Sequence, residues 1–156
     1  MKKNEIASES LNHFVIEIKQ KIIAAQYEAL KAVNKELISL YWEIGRSIVE
    51  KQEAFGWGKS IVKTLSDELQ NEFVGMKGFS ERNLWNMRNF YIEYKCNIKL
   101  QTLSAQIGWS HNIAIFQKTK DELEREFYIK MVIKFGWTYR VLDNHIDNKS
   151  YEKYLL

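Results

Sequence analysis

The stretch from Ser10 to Gln52 contains no proline and a single glycine, Gly45, so little in it would force a helix to end. Apolar side chains recur there at steps of three and four residues, namely Leu30, Val33, Leu37, Leu40, Tyr41, Ile44 and Ile48. An earlier apolar stripe contains Leu11, Phe14, Val15 and Ile18. These patterns predict one long helix, or two helices with a break near residue 20, after a flexible or loosely helical start over residues 1–14.

Glycine-containing breaks divide the rest of the chain into shorter helical segments. One helix is predicted from about Lys59 to Phe73, and a second from Ser80 to about Tyr94. Further helices are predicted over residues 102–107, 112–118, 121–134 and 138–146, with Ser110 and Thr138 as caps. No alternation typical of a β-strand occurs. We therefore predict an all-α fold in which residues 15–156 form a single helical domain.

The segment after Gly78 has the residue pattern of an amphipathic helix with a hydrogen-bonding outer face. Ser80 is a predicted N-cap, and Leu84, Met87, Phe90, Tyr91 and Tyr94 are predicted to face a core. The opposite face would carry Arg82, Trp85, Asn86, Asn89 and Glu93, with Arg88 on its flank. Arg and Asn side chains suit base edges and phosphates. Helix, turn and helix over residues 59–94 follow the helix-turn-helix plan, although a solvated helix face remains an equal alternative.

The charge distribution favours an anionic partner for this segment. The formal net charge is only +3. Residues 77–99 alone carry the basic side chains Lys77, Arg82, Arg88, Lys95 and Lys99 against the acidic Glu81 and Glu93. A local positive patch steers an anionic partner towards the protein, but this one is too small to identify nucleic acid by itself.

Several other classes of site and location are disfavoured. The histidines His13, His111 and His145 lie far apart and the single cysteine is Cys96, so no metal or cofactor is expected. Glu93-Tyr94-Lys95 matches the end of a PD-(D/E)xK nuclease motif, but it falls on a predicted helix, so we interpret it as coincidence. No membrane span or secretory signal is predicted, and a cytoplasmic location is expected.

Six motifs in register resemble the N-terminal domain of the bacterial YhcG family over about residues 15–155. They are Leu40-Tyr41-Trp42-Glu43-Ile44-Gly45, Gly78-Phe79-Ser80 with Asn83-Leu84, Met87-Arg88 with Phe90-Tyr91, residues 101–106, Trp109-Ser110-His111, and Gly136-Trp137. The resemblance implies a winged-helix-like, DNA-binding domain that usually precedes a PD-(D/E)xK nuclease domain. The sequence ends where that nuclease domain would begin, so the resemblance implies the targeting part, without catalysis.

Carried over by position, the resemblance points to Ser80, Arg82, Asn83 and Arg88, and to Ser110 and His111 in the second capped turn. Trp85 departs from the basic or polar residue expected at its position. The full predicted nucleic-acid-binding set is Lys77, Ser80, Arg82, Asn83, Trp85, Asn86, Arg88, Asn89, Ser110 and His111. DNA is the predicted partner, and a homodimer is left open. The alternative function is a protein-interaction or dimerisation module that uses the long N-terminal helix.

Overall fold

A computed structural model describes residues 2–156, with side chains from residue 8 onward. Eight α-helices follow one another: α1 (Lys2–Phe55), α2 (Ser60–Glu72), α3 (Glu81–Tyr94), α4 (Ile98–Ser104), α5 (Trp109–Lys118), α6 (Glu122–Phe135), α7 (Tyr139–Asp147) and α8 (Ser150–Leu155). The all-α prediction is confirmed. No strand forms within residues 2–156, so the winged-helix-like core implied by the resemblance is not confirmed.

The long N-terminal helix is confirmed, and it runs through residue 20 without a break. The predicted loose start is helical from Lys2 onward, and Met1 lies outside the described residues. The chain divides into two units, one ending at Val33 and one spanning Asn34–Leu156. Within the first unit the described side chains are all exposed, including the apolar ones.

The second unit is built around two neighbouring hydrophobic clusters. The larger one joins α1 with α3, α4, α5, α6 and α7, and its members include Phe90, Tyr94, Ile115, Tyr128, Ile129 and Leu142. The smaller one joins α1, α2 and α3 and contains Tyr41, Ile48, Val62, Leu84 and Met87. Since α3 contributes side chains to both clusters, its inner face packs into both of them. The residues predicted to face the core from α3 are buried, apart from the half-buried Tyr91.

Gly45 permits a close crossing of α1 and α3. A Cβ atom at this position would lie 2.6 Å from the carbonyl carbon of Met87 and 3.1 Å from the backbone nitrogen of Arg88. Real side chains essentially never approach a backbone so closely, so the two helices can touch here only through glycine.

Polar caps explain several helix boundaries and correct two predictions. The Ser80 and Thr138 hydroxyls accept hydrogen bonds from the N–H groups of Asn83 and Val141, as predicted. Asn97 caps α4 in the same way, so that helix begins at Ile98 and not at residue 102. The prediction that Ser110 is an N-cap is wrong, because α5 begins at Trp109 and its N-cap is Gly108. The short helix α8 has no counterpart among the helices predicted from the sequence.

Candidate nucleic-acid interface

The hairpin of α2 and α3 has an internally bonded connection. The Ser66 hydroxyl on α2 donates a 2.7 Å hydrogen bond to the carbonyl of Phe79, the residue just before the α3 cap. Gln70 in turn donates to the Ser66 oxygen at 2.6 Å. Phe79 is buried and its ring is tilted against that of Phe73, with ring centroids 6.0 Å apart. The start of α3 is therefore fixed against α2 by both polar and apolar contacts.

Gly78 has a backbone conformation that this connection requires. Its φ of 110° lies in the region that L-amino acids with side chains rarely adopt. A Cβ atom there would also collide with the Tyr41 hydroxyl. Any other residue at position 78 would therefore disturb the N-terminal end of α3, where the predicted contact residues begin.

The first turn of α3 presents basic and polar groups to solvent. Lys77 and Arg82 are exposed on either side of the capping Ser80, and Asn89 is exposed two turns further along the helix. The backbone N–H groups of a helix N-terminus carry partial positive charge. Exposed basic side chains and helix amides thus occupy the same end of α3.

Asn83 and Asn86 have internal partners in the structure. The Asn83 amide donates to the Gly78 carbonyl at 2.6 Å, and its oxygen accepts a 2.8 Å hydrogen bond from the Trp109 indole N–H. Asn86 is only 8% exposed, and its oxygen accepts from the Gln117 amide at 2.8 Å. The prediction that Asn86 lies on the exposed face is wrong, because α5 covers that position.

Arg88 and Trp85 form a half-buried pair on the side of α3 that meets α1. The Arg88 guanidinium lies 5.5 Å from the centre of the Trp85 ring. Its Nε donates a 2.7 Å hydrogen bond to the Gln52 side-chain oxygen near the end of α1. Both side chains remain partly accessible, but their positions are set by contacts within the protein.

His111 connects helices, and Ser110 is exposed. The His111 Nε2 donates to the Trp137 carbonyl at 2.7 Å, since a carbonyl oxygen can only accept. Its Nδ1 would lie 2.9 Å from a Cβ atom placed on Gly108, so the ring packs closely over that glycine. Ser110 does not cap a helix, and it lies on the surface. These two residues are adjacent in sequence but differ in environment.

An ion pair behind α3 joins a buried arginine to an exposed glutamate, and no pattern in the sequence indicates it. The Arg125 side chain on α6 is only 3% exposed, and it contacts the Glu93 carboxylate at 2.7 Å. Its guanidinium also donates to the carbonyls of Phe116 and Thr119 and lies 5.5 Å from the Tyr94 ring centre. Burial raises the pKa of the Tyr94 hydroxyl, so this residue stays neutral beside the pair. No local pattern predicts a contact across 32 residues.

An open apolar groove of the second unit lies between α1 and α2. Its volume is about 750 Å³, and its lining includes Leu40, Ile44, Ile61, Leu65, Leu69 and Phe79.

Within the described side chains, no group of three His, Cys, Asp or Glu residues is arranged to hold a metal ion. None of the described helices is long and apolar enough to cross a membrane.

Comparison with known proteins gives the chain a family. The model of the DUF1016 N-terminal domain matches residues 17–153, which is most of the sequence. The chain is also 27% identical to the Escherichia coli (strain K12) protein named "Putative nuclease YhcG", over 85% of this chain and 44% of that protein. The chain thus spans less than half the length of this relative. No solved structure gives a significant match. The resemblance to a YhcG-type N-terminal domain is confirmed, and the chain belongs to the DUF1016 N-terminal domain family.

Proposed function

We propose that this chain is the DNA-binding module of a YhcG-type nuclease and is non-catalytic by itself. The observation that carries the proposal is the position of Arg82 and Lys77. Both are exposed at the N-terminal end of α3, while the opposite face of that helix is built into two hydrophobic clusters. A rigidly held helix with basic side chains at its N-terminus suits insertion into a DNA groove.

The internal hydrogen bonds reduce the number of predicted residues that would contact DNA directly. Lys77, Ser80, Arg82, Asn89 and Ser110 are exposed and would touch DNA directly. Trp85 and Arg88 are half-buried and would contribute at the edge of the interface. The remaining three predicted residues would act by holding α3 and α5 in place, and they are Asn83, Asn86 and His111.

The non-catalytic part of the proposal rests on Glu93 and its neighbours. A PD-(D/E)xK site needs its carboxylates free to bind Mg²⁺ beside the scissile phosphate. Here the Glu93 carboxylate contacts the buried Arg125 guanidinium, and the tripeptide lies at the end of a helix. The nuclease named in the E. coli relative would then depend on sequence outside the part that this chain matches.

The test is a fluorescence-anisotropy titration of labelled random-sequence duplex DNA with the unmodified chain, Arg82→Ala and Arg140→Ala. Arg140 is an exposed arginine on α7 and serves as the matched control. If Arg82 makes a strong contact, its loss should weaken binding by about 1–3 kcal/mol, and the control should bind like the unmodified chain. Equal affinity for all three chains would remove α3 from the interface.

A second candidate function is dimerisation or protein interaction through α1. Its support is the apolar surface of the first unit, where Phe14, Ile23, Tyr27, Leu30 and Val33 are each between 58% and 70% exposed. Exposed apolar surface of this extent marks interaction sites in soluble proteins. Light scattering tests this function: it predicts a mass of twice 18.6 kDa, and a mass of one chain would contradict self-association.

A further inference from the structure

Three aromatic rings lie nearly parallel where the chain passes from α6 to α7, and they are called the aromatic stack below. The planes of Phe135 and Trp137 differ by 18°, and their ring centroids are 6.2 Å apart. The His145 ring stacks on Trp137 at 3.9 Å, with an angle of 3° between the planes. Phe135 is 56% exposed, and Trp137 is half-buried. The aromatic stack therefore presents a flat ring to solvent.

Contacts within the protein hold the inner part of this stack in place. The His111 Nε2 donates a 2.7 Å hydrogen bond to the Trp137 carbonyl, which ties the backbone of Trp137 to α5. The His145 Nδ1 shares a 2.8 Å hydrogen bond with the Ser150 hydroxyl at the start of α8. Because Trp137 and His145 are already fixed, a flat ligand that extends the stack needs little further ordering of the protein.

A positive charge accompanies the exposed ring. The Lys134 ammonium lies 5.2 Å from the centre of the Phe135 ring. Among the described side chains, Lys134 forms no ion pair. Proteins bind single strands with an aromatic ring for the base and a basic group for the backbone phosphate. A purely apolar protein partner would leave the charge of Lys134 unmatched, so the pair of groups favours a nucleotide.

Hydrogen bonds connect the aromatic stack to the first turn of α3. The Asn83 side chain in that turn accepts a 2.8 Å hydrogen bond from the Trp109 indole. Trp109 and His111 both belong to the first turn of α5, and His111 contacts the Trp137 carbonyl. Ser110 lies exposed between them. Only the start of α5 separates the two surfaces along this path, so one nucleic acid can contact both.

We propose that the aromatic stack is a second nucleic-acid site, which takes an unpaired base of DNA next to a duplex held by α3. The base stacks on the Phe135 ring, and Lys134 leaves that ring to meet the adjacent phosphate. Bases inside a duplex are already stacked on one another, so fully paired DNA does not fill this site. The inference rests on the DNA-binding function proposed above, and it specifies the substrate class as a junction between duplex and single strand.

Fluorescence-anisotropy titration of the full chain with three labelled DNA probes tests this inference. The first probe is a blunt duplex, and the second is the same duplex with a forked end of unpaired thymidines. The third carries an abasic fork, which keeps the phosphates and removes the bases. The thymidine fork should bind about ten-fold more tightly than the abasic fork, because stacking requires the base. Equal affinity for the two forks would overturn the inference.

Substitutions of the exposed ring assign the effect to the aromatic stack. Phe135→Leu keeps an apolar side chain and removes the ring, so it should lower the affinity for the thymidine fork to that for the abasic fork. Phe135→Trp should keep the preference. Leu123→Ala is the matched control, because it truncates another exposed side chain of α6 about 18 Å away along the helix, and it should also keep the preference. A preference that survives Phe135→Leu would overturn the role of this ring.

The blunt duplex separates this inference from the proposed function. Arg82→Ala should weaken the binding of all three probes by the same factor, because the duplex is common to them. If the blunt duplex binds and the thymidine fork binds no more tightly, the inference fails and DNA binding through α3 stands. A surface that docks another protein would give this result. If none of the three probes binds at low salt, the inference and the proposed function fail together.

Discussion

Replacing Gly45 by Ala should destabilise the protein, although alanine is the better helix former. In an exposed helix interior, this substitution would stabilise by about 1 kcal/mol. At the crossing of α1 and α3, the new methyl group would lie 2.6 Å from the Met87 carbonyl carbon, where ordinary contact begins at 3.4 Å. The obstacle is backbone, so no side-chain rotation can relieve it, and the helices must separate by about 1 Å.

The expected magnitude follows from these two opposing effects. Overpacking of a tight core contact costs about 1–3 kcal/mol, and a backbone obstacle belongs at the upper end of that range. After the gain in helix propensity of about 1 kcal/mol, the net loss is about 2 kcal/mol. With a urea m value of about 2 kcal/mol/M, the midpoint of unfolding should fall by about 1 M.

Urea unfolding followed by circular dichroism measures this effect, with Gly58→Ala as the matched control. A Cβ atom at Gly58 would meet nothing within 4 Å. The control should therefore change the free energy of unfolding by less than about 0.5 kcal/mol. A Gly45→Ala protein that is as stable as the unmodified chain, or more stable, would refute the close crossing of α1 and α3.

Three further predictions concern caps and charges. Thr138→Ala should lower the free energy of unfolding by about 1 kcal/mol, because α7 loses its N-cap. Ser110→Ala should lower it by less than about 0.5 kcal/mol, because Ser110 caps no helix. Equal losses of stability for the two variants in thermal unfolding would contradict the cap assignment. Arg125→Met should lower the free energy of unfolding by about 3 kcal/mol, because two buried carbonyls lose their hydrogen-bond donor and the Glu93 carboxylate loses its partner. A change below about 1 kcal/mol in urea unfolding would show that these contacts are dispensable. Hydrogen bonds from Lys130 and Lys99 lower the pKa of Glu126. Its stabilising contribution is therefore present above its ordinary pKa and is lost as pH falls through the lowered value, and an NMR titration giving an unshifted carboxyl would contradict the pairing.

Local signals were sufficient to predict α3. Ser80 precedes its first turn, and Leu84, Met87 and Phe90 recur at helical spacing, so cap and inner face both follow from neighbouring residues. The burial of Asn86 could not be predicted in this way. Asn86 lies beside the inner face of α3, and it is buried because Gln117 on α5, 31 residues later in the chain, packs against it.

The spacing of Leu123, Phe127 and Met131 indicates a different inner face of α6 from the one observed. Leu123 is 66% exposed, and the buried residues are Arg125, Tyr128, Ile129 and Val132. A hydrophobicity pattern treats an arginine as a surface residue. Here the Arg125 guanidinium is satisfied by two carbonyls and a carboxylate, so burial of its charge becomes tolerable. The register of α6 thus depends on tertiary contacts.

The sequence does not determine which apolar residues of α1 are buried. Leu37, Leu40 and Ile44 recur with Tyr41 at helical spacing, so the spacing predicts a helix without indicating which of them is buried. The structure buries Ile38, Tyr41 and Val49 and leaves Leu37 and Leu40 exposed. Both faces of this helix are apolar, and the face that contains Gly45 can approach α3 closely.

The salt dependence of DNA binding tests the central claim most directly. The unmodified chain and a Lys77→Ala/Arg82→Ala chain would be titrated with the same random-sequence duplex over a series of salt concentrations. Each phosphate neutralised contributes about −0.9 to the slope of log K against log salt, so the double variant should have a slope smaller in magnitude by about two. An identical slope and affinity for both chains, or no binding of the unmodified chain at low salt, would contradict recognition of DNA through α3.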